Sequence, residues 1–142
     1  MSREWANEIA DKFASGELIW AQGAMVGNTI AGEGEPAFCM LGAIALDCGG
    51  VVDRRVNCGC GDVSCNYGNY KFKDWTFRQT DCFINRVKDL RDWMRSGWDE
   101  NLTGTPEIFE GDPEEAVIIM NDSNSGVVDD VIRTLRKFAA AE

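Results

Sequence analysis

The sequence predicts one compact, mainly helical domain of about five helices, with a small irregular or β insertion rich in cysteine. Three observations predict this fold class. Apolar residues recur at helical spacing in three segments of the chain. Hydrophobic residues make up 44% and charged residues 27% of the composition, which is typical of a chain that packs a core. No repeat or linker divides residues 1–142, so we expect a single domain with the insertion at residues 49–79.

Two helices are predicted before the first glycine-rich loop. The apolar residues from Trp5 to Phe13 lie on one face of the first helix, Ser2 is a candidate N-cap, and Gly16 ends the helix. Residues 17–25 predict a short second helix. Residues 26–36 are rich in glycine and polar side chains, and they predict a loop.

A buried helix and a hairpin are predicted next. Pro36 suits a first helical position, and the run AFCMLGAIALDC that follows is apolar on all sides, which favours a helix in the core. Cys39 in this run is expected to be a core side chain, because burial opposes the reactive thiolate. The pair Gly49 and Gly50 ends the helix. Residues 51–56 and 69–75 predict two short strands that pair as a hairpin.

The last part of the chain predicts two more helices. Thr80 or Asp81 caps the first, and Gly97 ends it. Its buried stripe is Phe83, Val87, Leu90 and Met94. Residues 98–115 predict a loop, and the apolar run 116–120 fits either a buried strand or helical turns. Residues 121–126 predict a turn and helix cap, with Ser125 capping the final helix.

The charge is negative overall and unevenly spread. The net charge is −10, yet residues 54–95 carry nine basic and five acidic side chains, whereas residues 96–130 carry ten acidic and no basic ones. Histidine is absent, which excludes Ser-His and Cys-His nucleophile pairs and His-containing zinc sites. The sequence has no signal-peptide pattern and no run of 18 apolar residues, so we expect a cytoplasmic protein without membrane association.

Several short motifs carry a family resemblance. They are WAQGA at residues 20–24, CMLGAIA at residues 39–45, the pair Asn121 and Asp122, and VVDDVIRTLRKFA at residues 127–139. Together they resemble an uncharacterised family of small proteins from actinobacteria and their bacteriophages. The resemblance implies a shared scaffold built from the Cys39 helix and the Asn-Asp turn, with the Cys-rich middle as an insertion. The family often has tryptophan where this chain has Met120.

Three thiols in a glycine-rich segment are a candidate zinc site. Cys58, Cys60 and Cys65 follow the spacing C-x-C-x4-C, and tetrahedral thiolate coordination suits zinc. Either Cys48 or Cys82 would supply a fourth ligand. We favour Cys82, because the first turn of a helix favours a thiolate. The alternative is that these thiols are free in a loop.

Two segments are candidate partner-binding surfaces. The acidic stretch could face a basic partner, and its candidate residues are Glu107, Glu110, Asp112, Glu114 and Glu115. The segment 67–78 alternates cations with aromatic side chains, a composition used to stack on single-stranded nucleic acid, with Lys71, Lys73 and Trp75 as candidates. The alternatives are a solvated loop for the first and a hairpin with one buried aromatic face for the second.

These features favour a non-enzymatic interaction protein that binds and modulates a host protein through the acidic surface or the Cys-rich insertion, and the family resemblance implies that it is phage-encoded. The second hypothesis is a zinc-stabilised protein that binds RNA or single-stranded DNA, although the net charge of −10 opposes binding to phosphate. A small enzyme that uses carboxylates such as Asp47, Asp122 or Asp129 is the third hypothesis. The sequence spacing alone does not bring those carboxylates together.

Overall fold

Five α-helices make up most of the described part of this computed structural model, which covers residues 2–21, 26–28, 36–55, 69–96, 112–123 and 128–141. The helices are α1 (Glu4–Ser15), α2 (Met40–Asp47), α3 (Asp81–Ser96), α4 (Pro113–Ser123) and α5 (Val128–Ala140). A 3-10 helix, Thr76–Gln79, leads into α3. The predicted mainly helical fold class is confirmed. No helix among these residues is both long and apolar enough to cross a membrane.

The described strands form two small sheets. The first contains β1 (Ile19–Trp20), β2 (Val26–Asn28) and β3 (Pro36–Phe38) in the order β1-β3-β2, with β1 parallel and β2 antiparallel to β3. The second pairs β4 (Val52–Arg55) with β5 (Asn69–Phe72) in antiparallel register, Val52 opposite Phe72. The predicted hairpin is therefore confirmed.

Three predictions near the first sheet are wrong. The loop predicted over residues 26–36 contains strand β2 at Val26–Asn28, because these residues pair with β3. The second helix, predicted over residues 17–25, is replaced at Ile19–Trp20 by strand β1, because pairing with Ala37 and Phe38 of β3 satisfies its backbone groups. The helix predicted to begin at Pro36 begins at Met40, since Pro36–Phe38 belongs to β3. Cys39 is its N-cap: the thiol is buried and its Sγ accepts a hydrogen bond from the Gly42 amide at 3.4 Å.

The periodic helices agree with their predictions except at the start of α1, whose N-cap is Arg3 rather than Ser2; the Ser2 hydroxyl instead precedes the cap and accepts a hydrogen bond from the Glu4 amide at 3.2 Å. The four residues of the predicted stripe on α3 are buried, and the Thr80 hydroxyl accepts a hydrogen bond from the Phe83 amide at 3.2 Å, which caps the helix. Gly16 and Gly49 end α1 and α2 with φ values of 83° and 97°, a left-handed conformation that glycine adopts without strain. The apolar run 116–120 lies in α4, so it is helical rather than a strand.

One hydrophobic core joins all five described helices and the hairpin. Trp5 of α1 packs against Phe138 of α5 with ring centres 5.5 Å apart. Arg3 links the start of α1 to α3 and α5. Its guanidinium donates two hydrogen bonds of 2.9 Å to Asp89 of α3 and one of 3.1 Å to the Phe138 carbonyl of α5. Phe72 of β5 and Phe77 of the 3-10 helix reach the same core, so the predicted insertion contributes to it.

The side chain of Asn121 is buried in α4 and forms hydrogen bonds with two other segments, one at β1 and one at the start of α2. Its Oδ1 accepts hydrogen bonds from the Trp20 indole at 2.7 Å and from the Met40 amide at 3.0 Å, and its Nδ2 donates to the Ala21 carbonyl at 3.2 Å. The turn predicted to start at Asn121 is wrong, because residues 121–123 continue α4. Asn121, Trp20 and Met40 come from the three motifs WAQGA, CMLGAIA and Asn-Asp, which therefore meet at one buried amide.

Candidate functional site

Trp75 lies in the short connection between β5 and the 3-10 helix. The Asp74 carboxylate accepts hydrogen bonds from the Thr76 hydroxyl at 2.6 Å and the Thr76 amide at 3.1 Å, an arrangement typical of an Asx turn. These two hydrogen bonds lower the pKa of Asp74, so the carboxylate stays charged at neutral pH. The turn fixes the backbone on both sides of Trp75.

The Trp75 indole contacts three side chains and is still half exposed to solvent. Its ring centre lies 6.1 Å from that of Phe72 and 5.7 Å from that of Phe77, and both phenylalanines are buried. The Arg78 guanidinium lies over the indole, 4.5 Å from the ring centre. Despite these contacts, 48% of Trp75 remains exposed. A large aromatic side chain is therefore held in place and presented to solvent.

Contacts connect two further exposed hydrophobic side chains to this site. The Lys73 amide donates to the Val51 carbonyl at 2.7 Å, and Val51 is 59% exposed. Arg78 pairs with Glu114, which lines a cavity together with Ile84, and Ile84 is 45% exposed. Among the residues that the structure describes, the exposed large hydrophobic side chains are the three on this surface. We define the Trp75 face as Val51, Lys73, Trp75, Arg78 and Ile84.

A small cavity adjoins the Trp75 face where α3 meets the start of α4. Its volume is about 180 Å³, and its walls include Ile84, Lys88, Asp112 and Glu114. Glu114 connects the cavity to Trp75, because its carboxylate pairs with Arg78 at 3.0 Å. The face therefore combines apolar surface, a recess and both signs of charge.

The candidate acidic residues have different positions. Asp112 accepts a hydrogen bond from the Glu114 amide at 3.0 Å, so it caps α4, and Glu114 pairs with Arg78. Glu115 is exposed in the first turn of α4. Glu107 and Glu110 lie outside the described residues. Two of these acidic side chains therefore stabilise the start of α4 and its contact with the 3-10 helix, which their sequence pattern alone did not indicate.

The candidate basic and aromatic residues are partly brought together. Lys73 and Trp75 both lie on the Trp75 face and are exposed. Lys71 lies in β5 opposite Asp53, and its side chain is outside the described part of the chain. Sequence reasoning missed Val51 and Ile84. The available signal for Ile84 was an isoleucine placed off the apolar stripe of α3, where a polar residue is expected.

The candidate metal ligands lie only partly within the described structure. Cys58, Cys60 and Cys65 are outside it, whereas Cys82 is exposed in the first turn of α3 with its Sγ 2.7 Å from the Sγ of Cys48. Two thiolates on one tetrahedral zinc ion are about 3.7 Å apart, so this spacing is too short for shared zinc coordination. No group of three potential ligands is found within residues 2–21, 26–28, 36–55, 69–96, 112–123 and 128–141. The zinc site stays a prediction.

Arg86 organises the charges around the cysteine pair. Its guanidinium donates a hydrogen bond to Asp47, whose carboxylate also lies 4.0 Å from Lys12. Burial and the hydrogen bond to Cys82 raise the pKa of Cys48 to about 12, while Arg86 acts in the opposite direction. At neutral pH, Cys48 is therefore a protonated thiol.

The carboxylates considered in the enzyme hypothesis differ in position and in contacts. Asp47 joins α2 to α1 and α3 through its ion pairs, and Asp129 is exposed in the first turn of α5. The Asp122 side chain lies outside the described part. Asp47 thus has a structural role that explains its position without catalysis.

Comparisons of this chain with protein-family models, with curated proteins and with solved structures found no match.

Proposed function

We propose that this chain is a non-enzymatic interaction protein that binds a host protein through the Trp75 face. The observation that carries the proposal is Trp75 itself, held on two buried aromatic rings and under Arg78 while 48% of its surface stays exposed. Tryptophan and arginine are the residues most enriched among those that dominate binding energy in protein interfaces. An exposed tryptophan that is already ordered is therefore a strong candidate anchor.

The order around Trp75 favours tight binding. Immobilising a flexible side chain in an interface costs about 0.5–1.5 kcal/mol, and a side chain fixed before binding avoids much of that cost. The Asx turn at Asp74 holds the backbone, and the aromatic contacts restrict the ring. A partner with an apolar recess would receive the indole at a low entropic cost.

The charges near Trp75 favour a protein over a nucleic acid. Lys73, Arg78 and Lys88 are accompanied by Asp74, Asp112 and Glu114, so the described side chains here carry no net positive charge. Nucleic-acid binding depends on cations that replace the counterions of phosphate, and these carboxylates oppose it. A mixed rim around an apolar centre is the usual anatomy of a protein interface.

The described contacts also favour the insertion over the acidic surface as the binding element. Asp112 and Glu114 already cap α4 and pair with Arg78. Trp75 and Lys73 belong to the insertion predicted at residues 49–79. In the setting that the family resemblance implies, the chain would be a bacteriophage protein that modulates its target in the host cytoplasm.

The test is capture of partners from an actinobacterial lysate with the immobilised protein, after nuclease treatment. We compare the wild type with Trp75→Ala, with Arg133→Ala and with Glu115→Lys. Arg133 is the control for truncating an exposed side chain outside the Trp75 face, because it lies on α5, where it pairs with Asp130. Circular dichroism of each variant checks that the fold is retained.

We expect a host protein that the wild type, the Arg133 variant and the Glu115 variant capture and the Trp75 variant does not. Capture that persists in high salt would agree with an apolar anchor. Two outcomes would contradict the proposal. One is equal capture by the Trp75 variant. The other is a host protein that is captured only when the nuclease treatment is omitted, together with a single-stranded oligonucleotide that binds the wild type and not the Trp75 variant. That result would support the nucleic-acid hypothesis instead.

A further inference from the structure

We propose that Cys48 and Cys82 are a redox-active pair that forms a reversible intramolecular disulfide by exchange with a low-molecular-weight disulfide. The two cysteines are 34 positions apart in the chain: Cys48 is the C-cap residue of α2, and Cys82 lies in the first turn of α3. The inference does not depend on the proposed function of the Trp75 face.

The geometry brings the two sulfur atoms within reach of a bond. Their Sγ atoms are 2.7 Å apart, whereas sulfur atoms in a disulfide are separated by about 2.05 Å. Small rotations of the two side chains would close that difference. Zinc coordination would instead require the two sulfur atoms to move about 1 Å further apart. The pair is therefore closer to a disulfide than to a shared metal site.

The surroundings give a small oxidant access to one of the two sulfurs. Cys82 is exposed and lines a surface cleft of about 310 Å³, while Cys48 is half-buried behind it. The cleft walls also include Arg86, Asn85 and Asp81. The Arg86 guanidinium and the Asn85 amide suit the carboxylates and carbonyl oxygens of a peptide disulfide such as oxidised glutathione, and the Asp81 carboxylate suits its ammonium groups.

The exchange occurs in two displacements. The Cys82 sulfur attacks one sulfur of the small disulfide, whose S–S bond breaks, and the first small thiol leaves with the proton that Cys82 gives up. Once Cys82 is in the mixed disulfide, it no longer offers the thiol whose hydrogen bond raises the pKa of Cys48, and Arg86 favours the Cys48 thiolate. The Cys48 sulfur gives up its proton and attacks the Cys82 sulfur, the bond between Cys82 and the small thiol breaks, and the second small thiol leaves with that proton. Two cysteine thiols are oxidised to one disulfide, and one small disulfide is reduced to two thiols.

The bond would close a loop that contains the β4–β5 hairpin and the 3-10 helix. A disulfide stabilises a protein mainly by restricting the unfolded chain, and the effect increases with the length of the loop that it closes. For a loop of this length we expect the oxidised protein to melt about 10 °C above the reduced protein. The cross-link would also fix the end of α2 against the start of α3.

The experiment equilibrates the full chain with glutathione buffers from reducing to oxidising, traps free thiols with iodoacetamide, and maps tryptic peptides by mass spectrometry. We expect the peptide that contains Cys48 to be joined to the peptide 79–86, which contains Cys82. The first peptide also contains Cys39, and fragment spectra show which of its two cysteines forms the bond. The Tm is measured in parallel for the wild type, Cys48→Ser, Cys82→Ser and the control Cys58→Ser.

The expected result is an oxidation-dependent rise in Tm in the wild type and in the Cys58 variant, and none in the other two variants. Peptide mapping does not require that a variant folds, so it keeps the proposal testable even if a serine variant is unstable. Three results would overturn the proposal. The first is a disulfide that joins Cys82 to Cys58, Cys60 or Cys65. The others are a Cys82 thiol that stays free in every buffer and one that bound zinc protects from iodoacetamide.

Discussion

At the scale of single residues, buried polar side chains and exposed apolar ones carry most of the information in this protein. Asn121 is fully buried and its amide joins segments about a hundred positions away in the chain. Trp75 is the opposite case, an aromatic ring that the fold supports without covering. Sequence patterns suggested that both residues are special, but only the fold shows which groups they contact, because those partners are distant in sequence.

Replacing Asn121 with alanine should destabilise the protein by about 2–4 kcal/mol. The substitution leaves the Met40 amide and the Trp20 indole N–H without their acceptor, and each unsatisfied buried donor costs about 1–3 kcal/mol. Urea unfolding measures the free energy. Thr134→Val is the control, since its hydroxyl makes one hydrogen bond within α5 and should cost under about 1 kcal/mol. Equal losses for the two variants would contradict the role of Asn121.

The Asp74 turn predicts a dependence on pH. The pKa of Asp74 is lowered in the folded state, so its contribution to stability is present above the ordinary value of 3.8 and is lost as the pH falls through the lower, folded value. Nuclear magnetic resonance should show the Thr76 amide titrating with a midpoint below 3.8. In Thr76→Ala the Asp74 midpoint should rise, because the hydroxyl donor is gone. An unchanged midpoint would show that the hydroxyl has no effect.

At the scale of elements, predictability follows the strength of the local pattern. Helices α1, α3 and α5 each have one apolar stripe, and they lie where these stripes predict them. Gly97 and Ser125, the predicted end of α3 and cap of α5, lie outside the described residues. The local sequence pattern predicts a helix where the structure has strand β1. The two residues of β1 form a strand because they pair with β3, and this contact is not encoded in the local sequence. The apolar run in α4 was ambiguous, since five apolar residues fit a buried strand or a helix equally.

Gly50 tests how the end of α2 meets the hairpin. A Cβ atom at this position would lie 2.8 Å from the Ala45 carbonyl oxygen and 2.9 Å from the Phe72 ring. Gly50→Ala should therefore cost about 1–3 kcal/mol and shift the ring resonances of Phe72. Gly16→Ala is the control, because a Cβ there meets open space and only the left-handed backbone costs about 1 kcal/mol. Unshifted Phe72 resonances in the Gly50 variant would contradict the close contact.

At the scale of the whole molecule, the fold joins segments whose charges looked separate in the sequence. The basic segment and the acidic stretch meet where Arg78 pairs with Glu114, beside Trp75. The sequence predicted the cations and aromatics of this site as a linear segment. It could not predict Val51 and Ile84, because Val51 reaches this site through the pairing of β4 with β5 and Ile84 lies on α3. Nor could it predict the pairing of Cys48 with Cys82, because this contact joins the end of α2 to the start of α3. The acidic surface was predicted from composition, which does not reveal which carboxylates are used inside the fold.

The proposed function and the cysteine pair are connected by the chain between them. The hairpin and the 3-10 helix that present Trp75 lie within the loop that a Cys48–Cys82 disulfide would close. Oxidation would therefore restrict the segment that carries the Trp75 face. The two proposals can still fail separately, because one is measured by partner binding and the other by the state of the thiols.

The most direct test of the central claim is the dissociation constant for the captured host protein, measured by titration calorimetry with the wild type and with Trp75→Ala. A tryptophan at the centre of an interface contributes about 2 kcal/mol or more, so we expect Kd to rise by about thirtyfold or more. Arg133→Ala should leave Kd within about twofold, because exposed ion pairs of this kind contribute little. A Trp75 variant that binds as tightly as the wild type would contradict the claim that this face is the binding site.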